Sequence, residues 1–121
     1  MDPKPKAYLD PLETTTLLNQ VTEHSNHNPK TTPVGTTFRY QNPSDPGGPR
    51  FQIRPAVYLN ELTWGDVAVI AEALLGFYER YEMWLEMAFL IEDTERAAIG
   101  SGIVEEGERK VRGWTAGVAT S

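Results

Sequence analysis

The 121-residue chain contains no cysteine. That removes disulfides, thiol nucleophiles and thiolate metal sites together. Small secreted domains usually lean on disulfides, so their absence favours a reducing, cytoplasmic setting. The first residues, Met1-Asp2-Pro3-Lys4-Pro5-Lys6, have no apolar run behind their lysines and do not read as a signal peptide. Glu and Arg interrupt every long apolar stretch, so none approaches the roughly 18 residues of a membrane span. Positive charge is almost missing from the middle of the chain. Between residues 61 and 95, Arg80 alone stands against nine acids: Glu61, Asp66, Glu72, Glu79, Glu82, Glu86, Glu92, Asp93 and Glu95. Such a field repels phosphate backbones, which argues against nucleic-acid binding. It suits a cationic partner, or serves solubility alone.

Catalytic signatures are missing as well. There is no G-x-S-x-G elbow, no phosphate-binding Walker motif and no dinucleotide fingerprint. Gly47-Gly48 lies between prolines, which withhold the backbone N–H groups a phosphate cradle would use. His24 and His27 stand three apart in a polar, Asn-rich segment, a pattern better read as linker histidines than as a zinc site. No catalytic, cofactor-binding or metal-binding residue is assigned on these grounds.

What is present is the outline of a small α+β domain. Nine prolines and ten glycines cluster mostly outside the apolar segments. Residues 1–35 read as a flexible N-terminal extension with a short helix over 11–22, started by Asp10-Pro11-Leu12-Glu13. An exposed linker is expected over 23–35. Residues 36–121 read as one domain. Strands are expected at 36–40 and 50–59, the second an edge or a bulge because Pro55 cannot donate to a ladder. Between them lies a Pro/Gly-rich turn.

Leu62-Thr63-Trp64-Gly65-Asp66 looks like a capping box with Leu62 and Val67 as its hydrophobic staple. It predicts the main helix, about 64–81. Val67, Ile70 or Ala71, Leu74, Tyr78 and Tyr81 form one stripe, and Val69, Leu75 and Phe77 widen it, so burial on more than one side is expected. Gly76 in mid-helix suggests close packing of another backbone. Two alternating strands follow, 84–91 and 96–104, joined by a turn at 92–95. Gly100 and Gly102 leave room for a bulky neighbour such as Trp84 or for another chain. A last strand or docked tail around Trp114 is expected over 110–118. The fold class is therefore α+β: one mostly antiparallel sheet of four or five strands with the main helix packed on one face.

The candidate partner site is the end of that helix: Tyr78, Tyr81 and Trp84, with Glu82 and Glu86 beside them. Aromatic residues of this kind are enriched at binding hot spots. A second reading uses Trp64, Trp84 and Trp114 as a stacking platform and the carboxylates as acid and base. It makes the chain a small carbohydrate- or ligand-binding, or hydrolytic, protein. That chemistry needs two carboxyls about 5 to 9 Å apart in a cleft.

The run Leu62-Thr63-Trp64-Gly65-Asp66, the helix ending near Phe77-Tyr78, the strand with Phe89 and the closing Ile99-Gly100-Ser101-Gly102 resemble small, mostly uncharacterised proteins of filamentous fungi, many of them secreted or effector-like. The likeness covers about residues 50–105. It implies a shared scaffold, carries over no functional residue, and allows secretion if the chain is a mature form. The reading expected overall is a non-enzymatic protein-interaction module that binds another protein or a second copy of itself as a homodimer.

Overall fold

The computed structural model describes residues 8–56, 61–92 and 98–107. Two helices and four strands follow in the order α1 (Pro11–Asn26), β1 (Phe38–Gln41), β2 (Arg50–Pro55), α2 (Trp64–Tyr81), β3 (Met87–Glu92) and β4 (Ala98–Glu105). The strands form one antiparallel sheet in the order β1-β2-β4-β3, and the helices lie on one of its faces. The fold is α+β, as the periodicity predicts. Among the described residues, no helix is long and apolar enough to cross a membrane.

Register decides which side chains meet the helices. Phe38 pairs with Ile53, Ile53 with Gly102, and Gly102 with Phe89. Paired residues share a face, and neighbours two apart along each strand join them. Phe38 and Tyr40, Phe51 and Ile53, Gly102 and Val104, and Met87, Phe89 and Ile91 therefore point to the helical side. Leu17, Leu18 and Val21 of α1, and Leu62, Val67, Ala71, Leu74 and Tyr78 around α2, complete this core. Arg39, Arg50, Gln52, Arg54, Ala88, Leu90 and Ser101 occupy the open face.

α1 differs most from expectation. It begins as predicted, with the Asp10 carboxylate accepting from the Glu13 N–H at 2.9 Å and Pro11 in the first turn. It does not stop at Thr22. The Ser25 hydroxyl is buried and donates to the Val21 carbonyl at 2.9 Å, and the His24 ring stacks on Phe38. These contacts carry poor helix formers one more turn, an example of tertiary packing overriding local propensity. Residues 11–26 are therefore part of the core, not of a flexible extension. Nor are residues 30–34 a free linker. The Thr32 carbonyl accepts from the Trp64 N–H and the Lys30 carbonyl from the Gly65 N–H, each at 3.0 Å, and the Val34 N–H donates to the Leu62 carbonyl at 2.8 Å.

Those bonds explain the motif at the start of α2. Thr63 and Asp66 close a reciprocal capping box, and Leu62 and Val67 are both fully buried. Gly65 is needed because a Cβ there would lie 3.0 Å from the Lys30 carbonyl oxygen. The N–H groups that open a helix normally lack partners. Here Trp64, Gly65 and Asp66 all have one, so this terminus is closed to an anion.

Four further expectations are corrected. β2 is an interior strand, not an edge. Pro55 is tolerated because it is the last residue of β2: Ala56 turns its N–H to Ile99, so Pro55 faces the other way, past the end of β1. Gly76 packs against nothing, since a Cβ there would meet no atom within 4 Å. The bulky neighbour across Gly102 is the Phe89 ring, not Trp84. β3 starts at Met87, later than expected, because Trp84 and Leu85 instead engage Leu9 and Tyr8. The turn at 93–95, the far end of the 50–59 strand and the tail around Trp114 lie outside the described residues.

Candidate functional site

The five residues singled out at the end of α2 divide into two groups. Tyr78 is fully buried, its hydroxyl donates to the Leu85 carbonyl at 2.8 Å, and its ring lies parallel to Trp84 with centroids 5.1 Å apart. Burial, then the nearby Glu86 carboxylate, pushes the Tyr78 phenol up from 10.0 to about 12. Glu82 takes the left-handed conformation (φ 51°, ψ 36°) that ends the helix, and its N–H donates to the Tyr78 carbonyl. The Glu86 carboxylate accepts from the Glu106 N–H at 2.8 Å. These four join α2 to β3 and β4.

Tyr81 is the one aromatic of the five offered to solvent, at 54% exposure, beside the exposed Glu82 and Glu86. Its ring neighbours are residues outside that set: Phe77, with centroids 4.9 Å apart and 40% exposed, and the Arg80 guanidinium, 5.6 Å from the Tyr81 centroid. Met83 is half exposed just beyond. Phe77 belongs to a second row on α2, Val69-Ala73-Phe77, at steps of four. That row points away from the core, and Val69 is 65% exposed. Burial on more than one side is thus corrected: α1 and the sheet cover one arc of α2, and an apolar row remains outside. The i, i+4 spacing of Val69, Ala73 and Phe77 is the sequence signal that reveals it.

At the other end of α2 the surface dips into an open pocket of about 420 Å³, lined by Glu61, Asp66, Val69, Ile70, Ile91, Glu92 and Ile99. A β-bulge creates part of its floor. The ladder slips between Ile91 and Glu92, leaving Ile99 as the extra residue, and Ile99 is buried beside Ile91. Three carboxylates stand around this apolar floor. Among the described residues, no group of three His, Asp or Glu side chains is placed to hold a metal ion.

The remaining candidates are absorbed into structure. His24 meets the rings of Phe38, Tyr40 and Trp64 at 5.1, 5.9 and 5.6 Å, forming a small aromatic cluster that seats the end of α1 on β1. His27 turns away, its Nδ1 2.8 Å from the Glu23 carbonyl, so the two imidazoles do not converge. Trp64 packs edge-on against Phe38 and Trp84 lies flat on Tyr78, while Trp114 is outside the described residues. On the open sheet face Arg39 donates to Gln52 and Arg50 pairs with Glu105 at 3.2 Å.

Comparison with known proteins gives no match: no family model fits the chain, and no curated protein or solved structure is significantly similar to it.

Proposed function

We propose that this chain is a non-enzymatic protein-interaction module whose binding surface is the outer side of α2. One observation carries the reading. The helix has a buried arc, yet outside that arc it exposes Val69 and Phe77, and Phe77 meets the exposed Tyr81 ring at the C-terminal end, with Met83 beyond. Clustered aromatics on an exposed surface are the residue types that dominate protein interfaces. Acids outnumber bases around them, so a basic side chain on the partner finds complementary charge there. The effector-like character implied by the fungal resemblance belongs to the same proposal.

The carbohydrate and hydrolytic reading has weaker support. Both described tryptophans spend a ring face on their own core, and the acids near Tyr81 serve as helix terminus and strand tie.

A photo-crosslinking amino acid placed at Tyr81 tests the proposal. It should capture protein in cells more strongly than the same group at Asn19, an exposed position on α1. Equal, background-level capture at both positions would contradict it.

A further inference from the structure

The outer side of α2 carries both halves of a contact. Asp66, Val69, Ala73, Gly76 and Arg80 succeed one another at alternating steps of three and four, the spacing of a helix–helix seam. Near the N-terminal end of this seam lies the open pocket, with Glu61, Asp66 and Glu92 around an apolar floor. At the C-terminal end stand Phe77 and Arg80. The middle is smooth, because Ala73 and Gly76 are exposed and nothing lies within 4 Å of a Cβ at Gly76.

Resting on the interaction reading above, we infer that the partner is a second copy of this chain, packed α2 against α2 in antiparallel fashion across a twofold axis at Ala73. Positions 69 and 77 are symmetric about 73, and so are 66 and 80. The twofold therefore sets Phe77 of each copy over Val69 and the pocket floor of the other. It also brings each Arg80 to the Asp66, Glu61 and Glu92 end of its neighbour. Phe77 stands eight residues from Val69, about 12 Å along the axis, so one copy's protrusion and its own pocket are far enough apart to act separately. A pocket of about 420 Å³ has room for an aromatic side chain. Small residues at the centre let the backbones approach closely. The charges are complementary at both ends, since Arg80 is the basic residue of α2 and the pocket rim is acidic. Because each copy gives one protrusion and one pocket, the contact is made twice and closes as a dimer. The open sheet face offers less: Leu90 is its one large exposed apolar side chain among the described residues, and two of its arginines have partners within the chain.

Sedimentation equilibrium of the full chain, from micromolar to several hundred micromolar, tests the inference. The mass should rise from monomer to dimer. Arg80→Glu should weaken association about tenfold or more, and so should Glu61→Arg combined with Glu92→Arg, because each variant sets like charges against each other. All three positions are exposed, so circular dichroism should show each variant folded. Mixed in equal amounts, the two variants meet with opposite charges at both ends and should recover the dimer. A wild-type chain that stays monomeric throughout overturns the inference. So does an Arg80→Glu variant that associates like wild type, or a mixture that fails to recover. Monomeric wild type whose crosslinker at position 81 still captures other proteins removes the self-pairing alone and leaves the interaction reading standing.

Discussion

Gly76 and Gly102 place opposite demands on the backbone. At Gly76 nothing would touch a Cβ, so the glycine only loses entropy on folding. At Gly102 the Phe89 ring fills the space, and the Gln52 carbonyl oxygen would lie 2.9 Å from a Cβ. Gly76→Ala should therefore stabilise the fold by about 0.5–1 kcal/mol. Gly102→Ala should destabilise it by about 1–3 kcal/mol, because a rigid ring and a strand backbone must both shift. Urea unfolding of dilute protein checks both signs. The sequence marks each glycine as unusual but cannot say which is crowded. That depends on a cross-strand pairing set by register, which places Gly102 opposite Phe89.

Among the elements, α2 was the most legible and α1 the least. The capping box and staple at Leu62-Thr63-Trp64-Gly65-Asp66 are local chemistry, and local chemistry can be read from the chain. The extra turn of α1 rests on Ser25 and His24 meeting residues far away in sequence, which no local pattern discloses. The candidate site was half legible for the same reason. Tyr78 and Trp84 stack on each other inside the domain, while Phe77, placed with the buried stripe by its hydrophobicity, faces out. The junction of α2 and β3 also carries a pH dependence. The raised Tyr78 phenol keeps its proton in the folded chain at a pH where the unfolded chain has lost it. Stability should then be unaffected below pH 10 and fall between pH 10 and pH 12, by up to about 2 kcal/mol. Tyr78→Phe should be less stable than wild type at neutral pH by about 1 kcal/mol, having lost the bond to Leu85. Its decline across that alkaline window should be smaller, and pH-dependent denaturation of the two proteins would show a parallel fall if Tyr78 were not responsible.

At the scale of the whole molecule, polarity is distributed unevenly. Three of the arginines lie on β1 and β2, the acids gather around α2, and Phe77 and Tyr81 are exposed at its C-terminal end. On this layout rests the proposal that the helical side, not the open sheet, is the recognition surface. Amide chemical shifts followed by NMR on dilution test that assignment most directly. Resonances of Val69, Ala73, Gly76 and Phe77 should move as the protein is diluted, while those of Arg39, Gln52 and Leu90 on the open sheet face stay fixed. Shifts confined to the sheet face would contradict it, and no concentration dependence on α2 would overturn its pairing with a second copy.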